Sequence, residues 1–181
     1  MVAGALRKSP GSLLLSTLLL CGCHGQAHSL ASPALTEQQR IEVTGDVRVF
    51  ALEVAQDVTL RGPGAWAKHF SGAPEFFMAS QGALQFANGA AAAEGIEALT
   101  HTLKRSQLRF GDDLRVDPLT ADYAVVAASF TEVLTDNTDH DTPVSGFFTA
   151  LAERRGGGWV FRNAHWSLRA AEEPGASSSS P

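Results

Sequence analysis

His165 is the side chain of this sequence best suited to proton transfer, because an imidazole gains and loses its proton near neutral pH. It lies in the segment Gly158–Ser167, whose alternating pattern predicts a strand. Alternate residues of a strand share a face, which groups His165 with Asn163 and Ser167, two side chains that could orient the ring. Since no partner carboxylate is visible beside it, we favour an inert histidine and keep catalysis by His165 as the alternative.

Glu132 is a second candidate, because a carboxylate in an apolar row can have a raised pKa and act as a general base. On one face of its predicted strand it is grouped with Phe130 and Leu134. The other face, with Val125 and Val133, is nearly as apolar, so the pattern leaves open which face looks inward. We expect Glu132 on the solvated face.

The segment Asp136–Asp141 is rich in oxygen ligands, as a calcium-binding loop is. It lacks the glycine turn and the distal glutamate of an EF-hand, so we predict a solvated hairpin tip and no metal site. His69, beside Phe70 in a short helical segment, is an isolated candidate near the mouth of a pocket. The sequence indicates no cofactor.

The elements that must position these residues follow from periodicity and turn signals. Thr36 and Gln39 have the spacing of a capping box, which predicts the start of a long helix that Gly62-Pro63-Gly64 ends. Its apolar stripe comprises Ile41, Val47, Phe50, Ala51, Val54 and Val58. The later predicted elements are a short helix over 65–70, a hairpin over 76–86, a helix over 90–106 and antiparallel strands over 107–117, 122–135, 144–155 and 158–167.

This order of elements predicts an α+β fold, in which a cone-shaped, curved antiparallel sheet wraps on the long N-terminal helix. The last strand should turn Trp159 and His165 into the cone, with Trp159 packed on the long helix near Phe50 and Val54. The opposite face, with Val160 and Trp166, is apolar enough to predict a homodimer. The predicted pocket-lining residues are Phe77, Phe147, Thr149, Phe161, Asn163 and His165.

The N-terminal residues predict export. A basic start is followed by a short leucine-rich run and by Leu20-Cys21-Gly22-Cys23, which resembles a bacterial lipoprotein signal and predicts lipidation at Cys23. The alternative is an ordinary secretory signal that is cut elsewhere. We therefore expect a signal segment over 1–23, a tether over 24–35, one domain over 36–169, a disordered tail over 170–181, and a location in the cell envelope.

The charge of the chain excludes one class of partner. Residues 24–181 carry 12 basic and 19 acidic residues, a net charge of −7 with neutral histidines. A nucleic-acid surface needs clustered lysine and arginine to displace counterions, so no nucleic-acid partner is predicted. The only membrane contact expected is the lipid anchor.

The order of elements, the motif Gly146-Phe147-Phe148-Thr149 and the terminal Trp-x-Phe-x-Asn-x-His-Trp-Ser strand resemble the nuclear transport factor 2-like superfamily over about residues 36–169. The nearest resemblance is to its SnoaL-like and calcium/calmodulin-kinase association-domain-like branches. Phe147 stands where the association-domain branch tends to have an arginine. Tyr123 is the only tyrosine, whereas isomerase-like and dehydratase-like members use tyrosines in their sites.

The resemblance implies a cone-shaped pocket but leaves the function open, because this fold hosts enzymes, binding modules and dimerisation domains. The preferred interpretation is an exported, lipid-anchored, non-catalytic domain that binds a small apolar molecule or a partner. The alternative is a small acid/base enzyme of the cyclase, isomerase or dehydratase type that uses His165. A third interpretation is a dimerisation module with a filled interior.

Overall fold

The computed structural model describes residues 34–169. The predicted signal segment, the Cys23 lipidation site, residues 24–33 of the predicted tether and the predicted tail lie outside these residues. Within residues 34–169, no helix is both long enough and apolar enough to cross a membrane.

The domain contains two α-helices, one 3-10 helix and seven strands. Their bounds are α1 Glu37–Arg61, the 3-10 helix Pro63–Lys68, β1 Phe77–Ser80, β2 Ala83–Phe86, α2 Gly89–Thr102, β3 Leu103–Phe110, β4 Arg115–Pro118, β5 Tyr123–Asp136, β6 Asp141–Arg155 and β7 Gly158–Leu168. The predicted order of elements is thus observed. The helix predicted to end at residue 106 stops at Thr102, and the strand predicted over 107–117 is divided into β3 and β4.

The long helix α1 begins and ends as predicted. The Thr36 hydroxyl accepts a hydrogen bond from the Gln39 backbone N–H, and the Gln39 side chain accepts one from the Thr36 N–H, at 3.2 and 2.9 Å. Gly62, with φ of 81°, ends the helix. Ile41, expected in the buried stripe, is 58% exposed, because it lies two residues, or about 200° of helical rotation, from buried Val43.

The α+β fold predicted from the sequence is confirmed, with α1 lying against β3, β4 and β5 of a mostly antiparallel sheet. The strand order is β2-β1-β7-β6-β5-β3, and β4 also pairs with β5. One pair departs from the predicted antiparallel arrangement, because β1 runs parallel to β7. The hairpin β1–β2 is thereby joined to the edge of the C-terminal strand.

Phe161, two residues beyond Trp159 on β7, packs on α1. The ring of Phe161 is fully buried and lies 4.9 Å from that of Phe50, centroid to centroid. Trp159 is only partly buried, and the Arg154 guanidinium lies 4.5 Å over its ring. Trp159 packs against the core from a partly exposed position, and its predicted contact with Phe50 and Val54 stays a prediction.

A β-bulge in β7 reverses the face on which later residues lie. Ala152 pairs with Phe161 while its neighbour Leu151 pairs with Asn163, which leaves Arg162 as an extra residue. Beyond Arg162 the inward residues are even-numbered. For the residues after Arg162, the bulge reverses the predicted face of the strand, whereas Phe161 before it points inward as predicted.

Candidate functional site

The inner face of the sheet, the face that α1 covers, holds a cavity of about 620 Å³. Its walls come from the 3-10 helix, the hairpin β1–β2, α2 and residues of β3, β5, β6 and β7. The walls are mostly apolar, and they include Trp66, Phe70, Met78, Phe86, Ile96, Leu99, Leu103, Phe130, Leu134, Val144, Trp166 and Leu168. The polar side chains are Ser80, Gln81, Gln85, Ser106 and Glu132.

Gly95 of α2 lets the hairpin approach the helix at one wall of this cavity. A Cβ atom at position 95 would overlap the ring of Phe86. The helix begins at a cap in which the Ala91 N–H donates to Oδ1 of Asn88 at 2.8 Å. A side chain at position 95 would therefore require the Phe86 ring to move.

Glu132 lies in the cavity wall, and this corrects the expectation that it is on the solvated face. Alternation along β5 places it in line with Phe130, which is 2% exposed, while Val125 on the other face is 38% exposed. The opposite face has Thr131 and Val133 beside Glu132, so the sequence pattern alone does not give its direction.

The carboxyl of Glu132 has one hydrogen-bond partner among the described residues. The hydroxyl of Ser106, which is 1% exposed, donates to its Oε1. Removal from water raises the pKa of Glu132, and the Ser106 hydrogen bond opposes this rise more weakly. This group could bind a cation when ionised or transfer a proton.

The predicted pocket residues do not line this cavity. Phe77, Thr149, Asn163 and His165 lie together around a shallow depression of about 240 Å³ on the outer face of the sheet. Phe147 is 42% exposed, and Phe161 is fully buried in the core. The bulge at Arg162 explains why Asn163 and His165 lie outside the cavity, because it turns both side chains to the outer face.

His165 is exposed on this outer face instead of pointing into the cone. The structure brings it next to Thr149 across the β6–β7 pair and next to Ala79 across the β1–β7 pair. No acidic residue lines the depression around it among the described residues. A catalytic role for His165 stays a prediction.

The other sequence candidates have structural partners. His69 is 7% exposed, and its Nε2 lies 2.9 Å from Oδ2 of Asp57, which joins the 3-10 helix to α1. Burial lowers the pKa of His69, and the hydrogen bond with Asp57 opposes this. In the hairpin tip, the Asp136 carboxylate accepts hydrogen bonds from the Thr138 and His140 backbone N–H groups. Residues 34–169 contain no group of three or more metal-ligating side chains.

The similarity of this chain to known proteins lies in its fold. No family model and no curated protein sequence matches it. A nuclear transport factor 2-like superfamily protein from Salmonella enterica serovar Typhimurium is 14% identical, with a TM-score of 0.57 and coverage of 78% of this chain and 99% of that one. A ketosteroid isomerase-like protein from Erwinia carotovora is 15% identical, with a TM-score of 0.55 and coverage of 72% and 98%.

A third solved structure, a type 2 hexachlorocyclohexane dehydrochlorinase, is 14% identical, with a TM-score of 0.59 and coverage of 74% and 90%. At identities this low, such likeness shows the fold alone. The domain has the nuclear transport factor 2-like fold. Since proteins that share a fold differ in chemistry, the function must be argued from the cavity itself.

Proposed function

We propose that this domain binds a small, mainly apolar molecule in the inner cavity. The observation that carries the proposal is the cavity itself, whose volume of about 620 Å³ falls within the range of roughly 300–1,000 Å³ usual for small-molecule sites. Its walls are apolar side chains with a few polar groups, as in such sites. An interior filled for purely structural use would not leave this space.

Binding without catalysis is the preferred form of this proposal. Among the described lining residues, Glu132 is the only titratable group, and no second acid or base lies across the cavity from it. Proton transfer between two positions of a substrate generally uses a positioned donor as well as an acceptor.

We also propose that the domain belongs with the SnoaL-like and association-domain-like branches of the superfamily. The support is the motif Gly146–Thr149 and the sequence of the terminal strand.

The test is a titration of the full-length chain with N-phenyl-1-naphthylamine, a probe that is uncharged at neutral pH. Ala98 is exposed on α2 and lines the cavity, so Ala98→Trp should fill it and weaken binding about tenfold or more. Ala93→Trp, at an exposed position of the same helix outside the lining, is the matched control. The proposal would be contradicted if the probe did not bind to the wild type, or if it bound to Ala98→Trp and Ala93→Trp with equal affinity.

We also propose that a second copy of the chain covers the outer face of the sheet. Val125, Leu151, Asn163 and Phe77 form one row across four strands through their cross-strand pairs. Phe77 is 45% exposed and Val125 is 38% exposed. His165 is the only ionisable residue in the depression on this face among the described residues, so two negatively charged copies would not repel each other there. A two-fold axis would place equal patches together.

The interface proposed from the sequence needs one correction. Trp166 was assigned to the dimer face, whereas the structure places it in the cavity wall, because the bulge at Arg162 turns it inward. The exposed residues Phe77, Val125 and Phe147 take its place.

For the N-terminal segment, we propose export and a lipid on Cys23, which would attach the domain to the cell envelope. The support is the sequence Leu20-Cys21-Gly22-Cys23 after the leucine run. Mass spectrometry of membrane fractions should find acyl groups on Cys23, and Cys23→Ser should release the protein. A Cys23→Ser protein that stays entirely in the membrane fraction would contradict lipidation.

A further inference from the structure

The lining of the inner cavity has one acidic group and no basic group among the described residues. Of the 20 residues that line it, Glu132 is the only one with an ionisable side chain, and none is lysine, arginine or histidine. Glu132 has no ion-pair partner among residues 34–169. The Ser106 hydroxyl bonds Oε1, and no described donor bonds Oε2. A ligand that enters the cavity therefore meets a carboxyl group with a vacant acceptor position.

Aromatic rings share the wall with this carboxyl group. Phe130 is two residues from Glu132 on the same face of β5, and its ring meets that of Trp166 edge-on at 4.6 Å between centroids. Trp166 in turn meets the ring of Trp66 edge-on at 5.5 Å. These rings offer a large apolar contact area to the body of a ligand.

We propose that the cavity selects a small molecule with an apolar body and a protonated amine, the ammonium group pairing with Glu132 and the body lying against the aromatic walls. The inference rests on the proposed function, and it adds the class of ligand. Such a ligand supplies the positive charge that the protein leaves out. A neutral ligand does not supply that charge, and an anionic ligand would be repelled by the carboxylate when it is ionised.

The pH dependence of this selectivity should come from Glu132 alone. The charged groups of α2 and β3 are Glu94, Glu97, His101, Lys104, Arg105 and Arg109, and all are exposed and outside the lining. Those of the 3-10 helix, β6 and β7 also lie outside the lining: Lys68, Asp141, Glu153, Arg154, Arg155 and Arg162. Burial raises the pKa of Glu132 and so favours its protonated form, which means that acid conditions remove its charge. An aliphatic amine stays protonated throughout this range. Amine binding should therefore weaken as the pH falls, while binding of a neutral analogue should not change.

The test compares three matched compounds that differ only at one end: 4-phenylbutylamine, 4-phenylbutan-1-ol and 4-phenylbutanoate. Each displaces N-phenyl-1-naphthylamine from the full-length chain. At pH 8 the amine should bind about tenfold tighter than the alcohol, and the butanoate should bind most weakly. At pH 5 the preference for the amine should shrink.

The variant Glu132→Gln keeps the size of the side chain and removes its charge. It should bring amine and alcohol to within about twofold of each other at pH 8, with the affinity for the alcohol unchanged. Glu94→Gln removes one negative charge from the exposed face of α2 and should keep the full preference for the amine. The affinity for the alcohol also reports whether each variant has kept the cavity.

The outcomes separate this inference from the proposed function. If the naphthylamine probe and the alcohol bind but the amine has no advantage in the wild type at pH 8, the selectivity for amines is wrong and the cavity remains a binding site. The same conclusion follows if Glu132→Gln and Glu94→Gln behave alike. If neither the probe nor any of the three compounds binds, the proposed function itself fails.

Discussion

The side-chain oxygen of Asn163 accepts a hydrogen bond from the backbone N–H of Leu151, with 3.2 Å between nitrogen and oxygen. This bond crosses from β7 to β6 at the bulge, where the extra residue Arg162 interrupts the regular ladder. A buried N–H without a partner is costly, so a side chain that bonds it helps to hold the irregular register. Asn163 thus has a structural task, although the sequence suggested a pocket residue.

Replacing Asn163 by alanine should destabilise the domain by about 1 kcal/mol, since the Leu151 N–H loses its acceptor in a partly buried position. Urea denaturation of the full-length chain measures the change. Ser167→Ala, an exposed position on the same strand, is the control and should have little effect. Equal stability of Asn163→Ala and Ser167→Ala would mean that the bulge does not need this hydrogen bond.

Truncation of Phe161 should cost much more than truncation of Trp159, although tryptophan is larger. Phe161 is fully buried between Phe50 and Phe148, with centroid distances of 4.9 and 5.2 Å. Phe161→Ala should therefore lower the free energy of unfolding by about 3–5 kcal/mol. Trp159 is partly exposed beneath Arg154, so Trp159→Ala should lose less. Thermal or urea unfolding that reversed this order would contradict the deeper burial of Phe161.

Glu132→Gln should stabilise the ligand-free protein at alkaline pH. Because burial raises the pKa of Glu132 in the folded state, the folded state binds more protons than the unfolded state between the two pKa values. Stability should accordingly fall as the pH rises from about 4.3, the usual pKa of an unfolded glutamate, through the folded value. The glutamine variant has no carboxyl group at this position, so its stability should not fall with pH in this way.

Differential scanning calorimetry at several pH values tests this prediction. At pH 8, Glu132→Gln should melt roughly 2–5 °C above the wild type, and the difference should shrink towards pH 4.5. Glu94→Gln, which changes an exposed carboxylate, should show neither effect. A glutamine variant that melts below the wild type at pH 8 would mean that the ionised Glu132 carboxylate has a stabilising partner.

Phe147→Glu should disrupt the proposed homodimer, because it places a charge on the exposed apolar face of the sheet. Sedimentation velocity at micromolar concentration should show a dimer for the wild type and a monomer for the variant. Leu60→Glu, on α1 and 72% exposed, makes the same kind of change away from that face and should remain dimeric. A wild type that sediments only as a monomer would exclude the dimer.

The sequence was sufficient to predict the helices and strands whose signals are local. The capping box at Thr36, the glycine that ends α1 and the alternating strands all appear in the structure, since each depends on residues a few positions apart. The parallel pairing of β1 with β7 joins segments far apart in the chain, and no local pattern encodes it.

The candidate site was harder to predict from the sequence, for two physical reasons. The alternation rule assumes one residue per step, and the extra residue at Arg162 shifted His165 to the outer face. Both faces of β5 are apolar, so the direction of Glu132 depended on which face α1 covers. The close approach of Phe86 to Gly95 in the cavity wall is a tertiary contact, which spacing along the chain does not reveal.

The extra residue at Arg162 also determines how this strand can be compared with those of other proteins. An alignment that continued without a gap through this position, against a chain lacking the insertion, would set Ala164 and Trp166 opposite surface residues of that chain. Functional roles transferred in that register to the histidine of the terminal motif would be assigned to the wrong side of the sheet. A gap placed at Arg162 restores the correspondence of interior with interior.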